Sequence, residues 1–357
     1  MPTMNLASKY SNKVDERFTR DSQARMGTNK DYDWNGVNSI NVYQVDTVPL
    51  TDYTRSGANR YGSPSELGNT IQTMTLTRDR SFTFTIDKGN KNETMMVMDA
   101  GKSLAREQKE VIIPEYDAYI FGKQGSAAVT NGQFEVGAAS TTTAYGKFLS
   151  GSEVLGNKNV PDTGRIAYCS YRFANLMMQD PAFMKYSDKS QDMVIKGVLG
   201  EVDGTKIVKV PASRLPFGCS FLLVHPCATV APEQLNEYKI HQDAPGISGW
   251  LVEGRLIYDA FVLNGKKDAL YIAFLEGELG TLACQLDDNG KITKIANYDH
   301  YVGGKFQIKT GTTLPAYGDA NTGYSDVTVG TTTVAADSIL VYSINNKIVA
   351  ACLIDVA

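Results

Sequence analysis

The sequence predicts an α+β protein, and three observations carry that prediction. Across residues 93–123 apolar residues recur three or four apart, the spacing of one helix face. Ahead of that segment, runs alternate apolar residues with Thr and Gln, the period-two mark of half-buried strands. After residue 275 the chain turns to short β-branched runs punctuated by Gly, Asn and Thr.

The totals narrow the class. A chain of 357 residues has room for two domains, or for one elongated body with insertions. Lys+Arg of 35 against Asp+Glu of 39 gives a net charge of −4, so no strong basic field advertises nucleic-acid binding. Hydrophobic content of 42% with 21% charged residues belongs to a folded chain, not a disordered one. No apolar run is long enough to span a membrane. The start, MPTMNLASKYSNKVDERFTR, lacks the apolar core of a signal peptide, so the expectation is a chain made and kept in a cytoplasm. Cys169, Cys219, Cys227, Cys284 and Cys352 form no CxxC pair and read as buried free thiols.

Taken in order, residues 1–38 are polar and charged, with Lys9, Lys13, Arg17, Arg20, Arg25 and Lys30 and few apolar anchors. They read as an arm that drapes over a neighbour, with room for a short helix near residues 14–24. Residues 39–50 are β-branched and predict a strand. Residues 51–69, rich in Gly, form a long loop, of the kind that is functional or mobile. Its glycines follow neither GxGxxG nor P-loop spacing, which excludes a phosphate cradle. Met74, Leu76, Phe82, Phe84 and Ile86 then alternate with polar residues. Arg78-Asp79-Arg80 reads either as a turn or as the exposed middle of one long strand. The strands flanking the loop are expected to pair antiparallel and carry it outward as an extended β-arm.

In the helical segment, Val97, Gly101, Leu104, Ala105, Val111, Ile112, Tyr116 and Tyr119 make the apolar stripe. Asp99, Lys102, Arg106, Lys109, Glu110 and Asp117 fall on the solvated face, and Asp99 suits an N-cap. Such a helix would run ~46 Å. Pro114 predicts a bend or a junction of two helices. Residues 124–140 are rich in Gly, Ala and Ser and read as a connector at a domain boundary.

Beyond it, residues 141–154 predict a helix, IAYCSY a buried strand, and residues 171–179 a helix stopped by Asp180-Pro181. Residues 188–195 predict a short helix, and Asp203-Gly204 a hairpin turn. SFLLVHP enters the core. Residues 250–274 predict two long strands turning at Asn264-Gly265. Residues 275–357 predict a small β-rich addition with a hairpin at Asn345-Asn346.

Chemistry is sparse. His225, His241 and His300 have no ligand-type partner at i+2 or i+4, and no Gly-x-Ser-x-Gly elbow occurs. Asp287-Asp288 and Glu276/Glu278 lie in turn-like contexts where solvated carboxylates belong. The expectation is a structural protein, not an enzyme, with no catalytic residues, cofactor or metal.

The ordered series TDYTRSGANRYGSPSELGNTIQTMTLTRDRSFTFTID, VIIPEYDAYIFGK, KGVLGEVDGTKIVKVPASRLP, HPCATVAPEQLNEYKIH and DAPGISGWLVEGRLIYDAFVL resembles tailed-phage major capsid proteins, among them those of phages infecting Gram-positive bacteria. The resemblance covers residues 35–274 and rests on the order of the stretches, not on a single motif. It implies the Hong Kong 97 capsid fold, with an N-terminal arm (1–38) and an extended loop with flanking strands (39–92). A spine helix and connector (93–137) of a peripheral domain would follow, then an axial α/β domain (138–245) and strands returning to the peripheral domain (246–274). Residues 275–357 match nothing in that common core and are expected to be a domain added on the outer surface.

The implied function is self-assembly, as pentamers and hexamers, into the icosahedral shell around a double-stranded DNA genome. Implied partners are further copies of the chain, a portal protein and DNA held by non-specific contact, with no membrane. The implied location is the virion, assembled in the host bacterial cytoplasm. Arg55, Arg60, Arg78 and Arg80 would meet carboxylates on adjacent subunits. Some relatives crosslink a loop lysine to a neighbour's asparagine; Lys88 and Lys91 lie in that region, but no match fixes a pair and no crosslink site is assigned. Some relatives also begin with a cleaved scaffolding segment; residues 1–38 leave no room for one, so a separate scaffolding protein is expected. Two alternatives share these features: an encapsulin-like compartment, and a phage tail or surface component, the latter favoured by the Thr/Gly-rich C-terminal strands.

Overall fold

Alternation in the sequence becomes a hairpin first. β1 (Ser39–Val45) pairs antiparallel with β2 (Asn69–Thr75), from Ser39↔Thr75 to Val45↔Asn69, so residues 46–68 are carried at the far end of the ribbon as expected. The computed structural model describes residues 22–32, 39–64, 66–89, 100–185, 200–242, 244–296, 300–334 and 336–354. β3 (Arg78–Asp87) follows after a break at Leu76-Thr77, so Arg78-Asp79-Arg80 open a strand of their own.

The long helix comes next as α1 (Ala100–Glu107), a π turn (Gln108–Ile112) and α2 (Ile113–Thr130). Backbone angles stay helical through Glu107, Ile112 and Ile113, and the Ile113 N–H donates to the Gln108 carbonyl. That i→i−5 bond widens the turn just where Pro114 brings no donor and a bulky ring. The interruption expected at Pro114 therefore takes the form of a π turn. Residues 93–99, with the expected cap at Asp99, lie outside the described residues.

Two expectations about this helix are corrected. It continues to Thr130, so residues 124–130 are helix and not connector; Gln124, Gly125 and Ala128 are buried, and tertiary packing outweighs local composition. The faces also shift across the π turn. Val111, assigned to the stripe, is 47% exposed, while Asp117, assigned to solvent, is fully buried. A π turn holds about one residue more than an α turn, which rotates everything after it.

The chain then builds β4 (Phe134–Val136), α3 (Ala144–Asn157), β5 (Arg165–Ser170), α4 (Tyr171–Gln179) and α5 (Pro181–Lys185). It continues with β6 (Glu201–Val202), β7 (Thr205–Val210) and β8 (Phe221–Val224). Helix α4 matches its expected bounds, with Ser170 Oγ capping the Phe173 N–H at 3.2 Å. Asp203 and Gly204, at φ 49° and 69°, make the expected tight turn between β6 and β7. Residues 188–195 lie outside the described residues.

Then come β9 (Thr229–Val230), β10 (Glu233–Gln242), β11 (Gly249–Tyr258), β12 (Phe261–Val262) and β13 (Leu270–Phe274). Here the reading of residues 250–274 as one hairpin is overturned. Asn264–Ala269 is a 3-10 segment, β11 pairs with β10 and β3, and β13 enters a different sheet. The burial patterns explain the split. β11 keeps Glu253 and Arg255 exposed between buried positions, whereas every residue of β13 is buried.

Two main sheets result so far: β10-β11-β3, and the six-stranded β4-β13-β8-β5-β7-β6. The second has parallel pairs at β5/β7 and β4/β13 and holds the central core with Phe148, Phe173, Phe221 and Tyr271. The C-terminal region adds β14 (Gly280–Thr281), β15 (Cys284–Leu286), β16 (Ile292–Ile295), β17 (Lys305–Thr310), β18 (Ser325–Asp326), β19 (Ser338–Ile344) and β20 (Lys347–Ile354). Five of these form the sheet β14-β20-β19-β17-β18, and β15 pairs with β16. Asn345 and Asn346, at φ 47° and 61°, close the β19–β20 hairpin as expected. This region shares one continuous core with the six-stranded sheet, and Tyr317 Oη donates to the Phe274 carbonyl at 2.9 Å.

Candidate assembly surface

Exposed apolar side chains concentrate on the arm. Tyr43, Val45, Val48, Leu50, Tyr53, Tyr61, Leu67 and Ile71 are all exposed, Leu50 fully and Tyr61 at 87%. A two-stranded ribbon has no core of its own, so such residues are covered only by another surface. The tip nevertheless has local structure. Thr54 N donates to the Arg60 carbonyl at 3.1 Å, Thr51 Oγ1 to the Tyr61 carbonyl at 3.1 Å, and the Tyr53 and Tyr61 rings meet edge-on at 5.0 Å.

The root of the arm is fixed by contrast. Met74 and Leu76 are buried with Val230 and Leu263. Gln72 holds the backbone beyond β12 from both ends of its amide, donating to the Val262 carbonyl and accepting from the Asn264 N–H, each at 2.9 Å. Asp259, 1% exposed, accepts from Thr77 N (2.9 Å), Thr77 Oγ1 (2.7 Å), Tyr119 Oη (2.6 Å) and Ala260 N (2.8 Å). Burial alone would raise its carboxyl, yet these hydrogen bonds hold it below the usual carboxylate value. One side chain thus ties the arm, the long helix and the end of β11 together.

The four expected arginines separate into two pairs. Arg55 and Arg60 ride on the exposed tip, with Arg60 Nε donating to the Gly57 carbonyl at 3.3 Å. Arg78 and Arg80 lie at the foot of β3 beside Glu115 of the long helix. Arg80 is bidentate on it at 2.8 and 3.2 Å, and Arg78 stacks over the Tyr119 ring at 4.3 Å. Their first carboxylate partner is therefore in their own chain.

Sequence reasoning missed a second anchoring site. Asp117, fully buried, pairs with Arg214 at 2.9 Å and accepts Ser22 Oγ (2.6 Å), Gln23 N (3.1 Å) and Ala24 N (3.3 Å). Arg25 pairs with Glu233, and Gln124 Nε2 reaches the Gly27 carbonyl. So residues 22–27 of the expected arm lie on their own long helix, and the Asn29 N–H donates to the Thr229 carbonyl of β9. These partners stand about ninety positions or more apart in the chain, beyond any local signal. By contrast, Leu50, Tyr53, Tyr61 and Leu67 flank the glycines of the tip as a purely local signal.

Reactive constellations are scarce. Among the described residues no three His, Cys, Asp or Glu side chains converge as metal ligands, and no helix is long and apolar enough to cross a membrane. His225 Nδ1 accepts from the Cys227 N–H, and burial holds its pKa below the usual value. A groove of about 1170 Å³ between the long helix and the C-terminal region is lined by Arg78, Arg80, Glu115, Lys123, Lys294 and His300.

No protein-family model matches the chain, and no curated protein matches it in sequence. Its structure does have likenesses. A structure from Mycobacterium phage Che8 aligns with a TM-score of 0.61 at 17% identity, over 76% of this chain and 98% of that one. The capsid of cyanophage P-SCSP1u gives 0.58 at 13% identity, over 76% and 93%. The mature capsid of bacteriophage PhiM1 gives 0.57 at 14% identity, over 75% and 91%. The chain has the fold of phage major capsid proteins.

Proposed function

We propose that this chain is the major capsid protein of a tailed phage, building by self-association the icosahedral shell around a double-stranded DNA genome. The observation that carries the reading is the arm: a ribbon rooted by Asp259 and Gln72 but exposing eight large apolar side chains, on a fold shared with phage capsids. Each such side chain is worth about 1.5–3 kcal/mol when fully covered. A neighbouring copy that covers only a few of them gains enough to hold a shell once the contact repeats around closed symmetry.

In this reading the helix from Ala100 to Thr130 is the spine of the peripheral domain, and β3, β10 and β11 flank it. The six-stranded sheet is the axial domain that gathers copies into pentamers and hexamers. Residues 275–357 are the outer addition; the five-stranded sheet they form by themselves supports that assignment. Arg55 and Arg60, at the tip, are the arginines placed to meet carboxylates of an adjacent subunit. DNA contact is weak and sequence-independent, as suits a net charge of −4. Portal and separate scaffolding proteins belong to the same reading, as do assembly in the host bacterial cytoplasm and residence in the virion. The role is association, not catalysis. Capsid neighbours favour a genome shell over a cargo compartment or a tail component.

Electron microscopy of the purified chain, alone and with a co-expressed scaffold candidate, tests this. Closed isometric shells are expected; fibres, tubes or stable monomers under all conditions would overturn it. Uniform closed shells from the chain alone would remove the scaffold from the reading.

A further inference from the structure

Two thiols of the C-terminal region meet. β14 runs parallel to β20 with Thr281 opposite Ala351, and the Leu282 N–H donates to the Ala351 carbonyl at 3.2 Å. The chain then turns into β15, whose first residue is Cys284, while Cys352 follows Ala351 on β20. Both side chains are half-buried against the same core, and the Leu282–Ala351 hydrogen bond draws their backbone segments together. The neighbouring Cys352 brings the Cys284 thiol down to about 7, against the opposing effect of burial, and Cys284 in turn raises Cys352. The other cysteines differ: Cys169 and Cys219 are fully buried with thiols pushed up by desolvation, and burial raises Cys227 as well.

We propose that Cys284 and Cys352 are a redox pair that closes to an intramolecular disulfide on meeting a low-molecular-weight disulfide. The Cys284 thiolate attacks one sulfur of the small disulfide, forming a mixed disulfide and expelling a small thiolate. Cys352 gives up its proton to that thiolate, and its sulfur attacks Cys284 Sγ, releasing the second small thiol. Two protein thiols are oxidised and one small disulfide is reduced to two thiols. The new bond staples the first hairpin of the C-terminal region to the last strand. It bridges a long loop, which is where a crosslink constrains the unfolded chain most. A reducing cytoplasm keeps the pair open during synthesis, and an oxidising exterior lets it close.

The test uses the full chain incubated with oxidised glutathione, denatured, alkylated and digested without reductant. Two of the five thiols are expected to resist alkylation, in a peptide pair joining Cys284 to Cys352. The thermal midpoint should rise by on the order of 5 °C and fall back with dithiothreitol. Cys352→Ser should trap glutathione on Cys284, and neither Cys352→Ser nor Cys284→Ser should form a disulfide within the chain. Five alkylatable thiols after oxidation, or a bond from either residue to any other cysteine, would overturn the proposal. If a serine variant misfolds, as judged by circular dichroism, the wild-type peptide map alone decides. None of these readouts depends on shell formation, so failure here and failure of the capsid reading are separable.

Discussion

At the scale of single residues, two buried aspartates do most of the joining, and each makes a distinct prediction. Asp117→Ala leaves Arg214, 4% exposed, without its carboxylate and strips three donors near the N-terminus of theirs. Removing one member of a buried pair costs about 3–5 kcal/mol, because the other charge stays buried. Urea unfolding should therefore show the unfolding free energy lowered by that amount, read as a lower midpoint at unchanged slope, and an unchanged midpoint would mean Asp117 is not an anchor. Asp259 predicts a pH effect. Its folded carboxyl lies below the ordinary value, held there by donors from Thr77, Tyr119 and Ala260 against the opposing pull of burial. A depressed acid stabilises the fold fully above its unfolded value and loses that contribution as pH falls through the folded one. Wild-type stability should drop more steeply than that of Asp259→Asn below about pH 4, and the two curves should converge. Parallel curves from pH 7 to 3 would contradict this assignment.

At the scale of elements, the arm should behave as surface that adds nothing to its own subunit. Leu50→Ser with Tyr61→Ser is expected to shift subunit unfolding by less than about 0.5 kcal/mol, as exposed substitutions do. The same double variant should strongly reduce shell yield on sedimentation, and a full yield would detach the arm from assembly. Why the arm was legible in the sequence is instructive. Period-two alternation and a Gly-rich tip are local facts, and so are the Asp203-Gly204 and Asn345-Asn346 turns. The misreadings arose where distant packing decides. Residues 124–130 look like a linker until the sheet buries Gln124 and Gly125, and Asn264-Gly265 looks like a hairpin until β13 is claimed by β4 and β8. Asp117 falls on the solvated face when residues are spaced at the α period, and the π turn before it rotates it into the core. At the candidate site, Arg55 and Arg60 were placed on the exposed tip by sequence alone. That Arg78 and Arg80 already hold Glu115 needed the long helix laid beside β3.

At the scale of the whole molecule, the surface offers two different forces for association, and salt separates them. The arm presents apolar area, which strengthens with sulfate and on warming from the cold. The tip arginines present charge, whose attraction to a neighbouring carboxylate weakens as the Debye length shrinks to about 3 Å at 1 M salt. With a net charge of only −4, long-range repulsion between copies is modest and does not mask either effect. The eight exposed apolar side chains outnumber the two tip arginines, so the apolar term should set the rate. Light scattering of the purified chain should therefore show assembly accelerated by ammonium sulfate, slowed on cooling and little changed between 0.1 and about 0.5 M sodium chloride. Arg55→Gln with Arg60→Gln should change the geometry of the product more than its rate, visible as a wider spread of particle diameters by electron microscopy. Assembly that collapses with moderate sodium chloride, or that the arginine pair alone abolishes, would make charge and not the apolar ribbon the driving contact.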